Sequence, residues 1–167
     1  MKLSSALFST ILISAFAVLQ SVFFRHGLIA GVTPDFALII LIFSANQHGS
    51  LKAQSTGFIS GIIQDLLSVT PLGFHAFTRT VIGSLYGIFK GKLFIDPILV
   101  PMILAAVGTL LKAIFGFLLL SIFDQEYTSV VFTAGLGVEI GLNTLAAPFL
   151  FALLKLIGVF KAARDER

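Results

Sequence analysis

The sequence predicts an all-α integral membrane protein, a compact bundle of about six transmembrane helices with both termini in the cytoplasm. Hydrophobic residues make up 57% of the 167 residues and charged residues only 11%, against roughly 25% charged residues in an ordinary soluble domain. A soluble fold of this size cannot hide so much apolar surface from water. The apolar residues form six runs joined by short polar connections, so residues 1–167 are predicted to be a single membrane domain.

Each predicted span is a run of mainly apolar residues, and about 17–25 such residues cross a bilayer as a helix. In chain order the runs cover residues 5–24, 34–46, 53–67, 74–89, 97–123 and 130–159. The second and third are short, so a five-crossing alternative, with one of them re-entrant, stays open. A cleaved secretory signal ending at Ala15-Phe16-Ala17 is disfavoured, because the first apolar run continues to Phe24.

The basic residues predict the orientation, because cytoplasmic loops are enriched in lysine and arginine. With the N-terminus inside, Arg25 alone falls on the outer side, together with the acidic loop at residues 124–126. The residues at the inner face are Lys2, Lys52, Lys90, Lys92, Lys155, Lys161, Arg164 and Arg167. The bilayer therefore explains the net charge of +3, and no nucleic-acid-binding patch is predicted.

Glycines spaced four residues apart predict where helices pack closely, because a small residue lets a neighbouring backbone approach. The third, fourth and sixth runs contain such spacings, at Gly57 and Gly61, at Gly83, Gly87 and Gly91, and at Gly137 and Gly141. The doubled spacing in the fourth run is the least easily accidental. We expect contacts between helices of one chain rather than dimer contacts.

Four ionisable residues are predicted to lie at membrane depth, away from the helix starts and the inner face: Asp65, Arg79, Lys112 and Glu139. Asp65 is near the outer end of the third span, and Arg79 is about two turns below the outer end of the fourth, so their depths are comparable. Lys112 and Glu139 lie roughly 16 and 15 Å below the outer ends of the fifth and sixth spans, at about 1.5 Å per residue. We therefore predict two ion pairs, Asp65–Arg79 and Lys112–Glu139, with Asn143 capping the second. A purely structural role is favoured, and a polar cavity or a partner-facing groove is the alternative.

The residues needed for common catalytic and metal sites are missing from the sequence. Cysteine is absent, and His26, His48 and His75 lie in separate connections without the spacing of metal ligands. No serine lies in a G-x-S-x-G motif, and no glycine-rich loop with a lysine could hold phosphate. We expect no enzymatic activity and no cofactor or metal. An intramembrane enzyme using Asp65, His75, Arg79 and Glu139 is the less favoured alternative.

An ordered set of short motifs extends from residue 34 to residue 94. It begins with Pro34-Asp35 at the start of the second helix and ends with Gly91-Lys92-Leu93-Phe94. Between them lie Gly57-Phe58-x-x-Gly61-x-x-x-Asp65-Leu66-Leu67 and Pro71-Leu72-Gly73-x-x-Ala76. In order and spacing this set resembles the MreD family, the small multi-pass rod shape-determining proteins of bacteria. The family pattern falls on Pro34, Asp35, Gly57, Gly61, Asp65, Leu72 and Gly73, and the resemblance implies a catalytic role for none of them.

The resemblance implies a non-enzymatic scaffold of the cell-elongation machinery in the bacterial inner membrane. The implied partners are an MreC-like single-pass protein, an MreB-like cytoskeletal protein, a RodA-type glycosyltransferase and a class B penicillin-binding protein. It also implies a bundle topology like that of the substrate-binding subunits of energy-coupling-factor transporters. The alternative function is therefore a small-ligand-binding transporter subunit of that kind, which would need a polar cavity near the outer face.

Overall fold

The computed structural model describes residues 5–23, 29, 31–68, 70–92, 96–123 and 134–156. These residues form six helices: α1 (Ser5–Phe23), α2 (Phe36–His48), α3 (Ser50–Leu67), α4 (Phe74–Ile88), α5 (Leu99–Phe123) and α6 (Ala134–Leu156). The all-helical prediction is confirmed over this part of the chain. Lys2, Arg25, His26, the acidic loop and the basic C-terminal residues lie outside the described residues.

Two of these helices are long and apolar enough to cross a membrane, at Leu99–Ile122 in α5 and Gly135–Leu156 in α6. α1 and α2 contain shorter apolar stretches, at Leu7–Gln20 and Phe36–His48. The composition and these helices fit membrane insertion, while the number of crossings and their orientation stay predictions.

α2 is the central helix of the bundle. All but two of its 13 residues are buried, and it contacts each of the other five helices. A helix that is apolar on every side is stable only when neighbours surround it. α2 is also short, about 20 Å long at 1.5 Å per residue. Its first turn therefore begins inside the bundle, and Asp35, the residue that caps it, is only 5% exposed.

α3 and α4 form a hairpin whose backbones touch. A Cβ atom placed on Gly57 would lie 2.5 Å from the carbonyl oxygen of Arg79, and one on Gly61 would lie 2.4 Å from the Cα atom of Ala76. Real Cβ atoms do not approach other atoms so closely, so only glycine fits at these positions. Two glycines of α4 also touch the backbone of α3, since a Cβ atom would lie 2.8 Å from the nearest α3 atom at Gly83 and 2.5 Å from it at Gly87. The close packing predicted from the spacing is therefore an intramolecular contact in this hairpin.

The other predicted glycine contacts differ in the structure. Gly91 is predicted to extend the α4 series, but α4 ends at Ile88 and Gly91 lies in the following turn with φ of 75°. A left-handed φ is a conformation that glycine adopts without strain, so a turn explains this residue. For Gly137 and Gly141 of α6, no heavy atom of another element lies within 4 Å of the position that a Cβ atom would take, so they form no such contact with the described residues.

Candidate functional site

Asp35 joins four helices at the start of α2, three through its carboxylate and one through its backbone N–H. Its Oδ1 atom accepts hydrogen bonds from the backbone N–H of Leu38 at 2.9 Å and from Arg79 Nη2 at 3.2 Å. Its Oδ2 atom accepts from Lys112 Nζ at 3.0 Å. The backbone N–H of Asp35 donates to Oδ1 of Asn143 at 2.7 Å. One residue therefore caps α2 and binds a cation from α4 and another from α5.

Lys112 extends the series of ion pairs to α6. Its Nζ atom donates to Oε1 of Glu139 as well as to Asp35, so the charged groups alternate in sign from Arg79 through Asp35 and Lys112 to Glu139. Lys112 and Glu139 are the two residues that the depth estimate brings together. Arg79 is 1% exposed and also donates to the carbonyl oxygen of Ser60 at 3.5 Å.

The predicted ion pair between Asp65 and Arg79 is wrong, because Arg79 pairs with Asp35 and Asp65 caps α4. Oδ1 of Asp65 accepts from the backbone N–H and from Nδ1 of His75, both at 2.8 Å. Oδ2 accepts from the backbone N–H groups of Gly73 at 3.0 Å and Ala76 at 3.1 Å. The first N–H groups of a helix have no partner within the helix, and Gly73 has no side chain to cap α4. Asp65 supplies that cap from the last turn of α3.

Asn143 also differs from its predicted role beside Lys112 and Glu139. Its side chain accepts from the Asp35 backbone and donates from Nδ2 to Oγ1 of Thr109 at 2.8 Å. It therefore fixes the start of α2 against α5 and α6. We call Asp35, Asp65, His75, Arg79, Lys112 and Glu139 the charge cluster.

Three of the predicted motif residues lie in turns and contacts next to the charge cluster. The carbonyl oxygen of Pro34 accepts a hydrogen bond from Nε2 of Gln20 in α1. Leu72 is 72% exposed on the turn before α4, and Gly73 there has φ of 100°.

A cavity of about 320 Å³ lies against the charge cluster. Each of the six helices contributes one polar residue to its wall, with Asp35 counted as the cap of α2. The lining residues are Gln20, Gly31, Val32, Thr33, Asp35, Gln64, His75, Lys112 and Glu139. The volume is at the lower end of the range for small-molecule sites, which is about 300–1,000 Å³. α1 and α3 end at this cavity and α2 and α4 begin there, which is the outer side in the predicted topology.

Five of the lining residues were not predicted from the sequence, and Asp35 was given too small a role; the five are Gln20, Gly31, Val32, Thr33 and Gln64. Gln20 and Gln64 were not singled out, although each is a polar residue near the end of a mainly apolar run. For Asp35 the sequence indicates only a helix-start residue that favours the positive end of the helix dipole. The carboxylate of Asp35 directly precedes a helix that is apolar on every side and that neighbouring helices must enclose. Its burial was the signal in the sequence for a larger role.

The chemistry of this arrangement is that of charge neutralisation and hydrogen bonding. Over the described residues, no group of three or more histidine, aspartate or glutamate side chains is placed to hold a metal ion. Two of the three acids, Asp35 and Asp65, are fixed by backbone N–H groups as well as by side chains. Glu139 is the most accessible acid, with 18% of its side chain exposed.

The family comparison covers nearly the whole chain. The family model described as "MreD: rod shape-determining protein MreD" matches residues 1–157. That range contains all six helices, the charge cluster and every residue of the cavity wall. No curated protein and no solved structure matches the chain.

Proposed function

The chain belongs to the MreD family of rod shape-determining proteins, and we propose that it is a non-enzymatic scaffold of the bacterial cell-elongation machinery. Membership of the family makes it a bacterial membrane protein that determines rod shape. The proposal adds that it acts in the inner membrane as a multi-pass bundle. There it would link peptidoglycan synthesis to the proteins that direct elongation.

The proposed partners are an MreC-like single-pass protein and an MreB-like cytoskeletal protein. Through them the chain would help to position a RodA-type glycosyltransferase and a class B penicillin-binding protein. The short connections support partners that bring membrane helices. Gly49 alone separates α2 from α3, and six residues separate α3 from α4. Recognition of this part of the chain would therefore depend largely on the outer faces of helices.

The observation that carries the scaffold proposal is the way in which the bundle is fixed internally. Backbone contact holds α3 against α4, and the charge cluster connects α2, α4, α5 and α6. A scaffold needs such fixed relative positions to present separate faces to separate partners. Asp65, which the enzyme alternative requires as an acid, is held by three backbone N–H groups and by His75.

A second candidate is the ligand-binding subunit of an energy-coupling-factor type transporter. The cavity favours it, because a transporter subunit needs a polar space of ligand size. The two candidates differ in their partners, since a transporter subunit would associate with a coupling protein and ATPases.

Purification of the tagged chain from its native membrane in a mild detergent tests the two candidates. Mass spectrometry would identify both the co-purifying proteins and the bound small molecules. Recovery of a single-pass periplasmic coiled-coil protein with penicillin-binding and MreB-type components supports the scaffold. Recovery of paired ATPases with a stoichiometric vitamin-like ligand overturns it. An unrelated multi-pass protein with the same tag is the control for non-specific recovery.

A further inference from the structure

We propose that the cavity binds a primary ammonium group, carried by a small soluble amine or by the headgroup of an aminolipid. The proposal concerns the cavity itself and does not depend on the scaffold function. It follows from the hydrogen-bonding groups of the cavity wall, from the charge of the cluster behind it and from its accessible acid.

Two buried hydrogen-bond acceptors of the cavity wall lack donors among the described residues, and other acceptors lie beside them. Oε1 of Gln20 and Oε1 of Gln64 are both buried, and neither accepts a hydrogen bond from the described residues. Nδ1 of His75 faces the Asp65 carboxylate and donates to it, so the other ring nitrogen is an acceptor whenever the ring is neutral. Glu139 adds a carboxylate. A primary ammonium group has three N–H donors and no acceptor, which complements such a wall.

The charge of the cluster also favours a cation. Three carboxylates, those of Asp35, Asp65 and Glu139, accompany two permanent cations, Arg79 and Lys112. With a neutral His75 the cluster carries one net negative charge. An uncompensated charge in a site of low dielectric is costly, and a bound cation would neutralise it.

Glu139 is the acid of the cavity wall that a bound cation would contact. Lys112 is already bound by Asp35 and Glu139, so it does not neutralise a further acid. The side chain of Asp35 is 7% exposed, against 18% for Glu139. Glu139 is thus the more accessible of the two acids in the cavity wall, and Gln20 and Gln64 supply neutral acceptors there.

Ethanolamine and choline distinguish this proposal from simple attraction of cations. Both carry one positive charge, but the quaternary nitrogen of choline has no N–H donor. The full chain would be placed in phosphatidylcholine nanodiscs and titrated with each compound by isothermal calorimetry. We expect saturable binding of ethanolamine and at least tenfold weaker binding of choline, because a hydrogen bond to a charged group changes affinity by about tenfold or more.

Nanodiscs that contain phosphatidylethanolamine test the lipid source of the same group. Native mass spectrometry would then report whether that lipid is retained in preference to phosphatidylcholine. Ethanolamine binding in phosphatidylcholine nanodiscs indicates a soluble amine, and selective lipid retention without it indicates a headgroup. Either result supports an ammonium site. Equal binding of ethanolamine and choline, or no selectivity in both experiments, overturns the proposal.

Substitutions of the wall provide matched variants. Gln64→Met removes one acceptor while keeping a similar side-chain length, and Glu139→Gln removes the accessible charge. Each should weaken ammonium binding roughly ten- to a hundredfold. Gln47→Met is the control, since Gln47 lies in the last turn of α2, outside the cavity wall. Melting temperatures would confirm that the variants are folded. Wild-type affinity in both folded wall variants would refute the assignment.

Discussion

Replacement of Gly61 by alanine should destabilise the protein through the contact between α3 and α4. The new Cβ atom would lie 2.4 Å from Cα and 2.5 Å from N of Ala76. Carbon atoms in favourable contact are about 3.5–4.0 Å apart, so the two helices must separate locally by about 1 Å. Because the neighbouring atoms belong to the backbone, no side-chain rotation can relieve the overlap.

The expected loss follows from two opposing effects. Overpacking in a well-packed interior costs about 1–3 kcal/mol, and an overlap with backbone should lie near the upper value. Separation of the hairpin would also weaken the hydrogen bonds from the start of α4 to Asp65. The higher helix propensity of alanine returns about 1 kcal/mol. The net decrease in the free energy of unfolding should be about 2 kcal/mol, or roughly thirtyfold in the equilibrium constant.

Gly141→Ala provides the matched control, because no atom of another described element lies within 4 Å of its Cβ position. We expect its stability to be unchanged or higher by up to about 1 kcal/mol. Titration of the purified protein from mild micelles into dodecyl sulfate, followed by circular dichroism, would give both free energies of unfolding. If Gly61→Ala and Gly141→Ala unfold at the same detergent fraction, the backbone contact is refuted.

Three further predictions concern charged residues. Asp35→Ala should lower membrane accumulation strongly on immunoblots, because removal of one partner from a buried ion pair costs about 3–5 kcal/mol; wild-type accumulation would contradict its central position. The double substitution Lys112→Glu with Glu139→Lys should not restore the stability lost in Lys112→Glu. Its carboxylate at position 112 would face Asp35, whose Oδ2 lies 3.0 Å from Lys112 Nζ. Full recovery in a detergent melt would show instead that Lys112 and Glu139 form an isolated pair. Hydrogen bonds from backbone N–H groups at the start of α5 lower the pKa of Asp96 from its ordinary value of 3.8. The stability that Asp96 contributes is therefore fully present above pH 3.8. It is lost as the pH falls through the lower pKa of the folded state. Asp96→Asn should remove this part of the dependence of melting temperature on pH, and an unchanged profile would contradict the cap.

The helices could be predicted from the sequence more reliably than their charged contacts. Apolar runs define the length of a helix directly, and the predicted third and fourth runs end within one residue of α3 and α4. A depth estimate gives only the position of a residue along the bundle axis. It placed Asp65 near Arg79 but could not show which side of each helix faces the other. The same estimate brought Lys112 to Glu139, yet it could not reveal that Asp35 binds Lys112 too.

The short length of α2 explains both the ion pairs that were not predicted and the position of the cavity. A central helix of full length would carry its first N–H groups to the surface, where water could satisfy them. Because α2 begins inside the bundle, its cap must be buried, and a buried aspartate requires cations from its neighbours. Arg79 and Lys112 fill that need, and the cavity lies at Asp35, where the short helix begins. The fixed bundle and the polar cavity therefore have one structural origin, so a protein of this fold can serve as a scaffold and still offer a site to a small ligand.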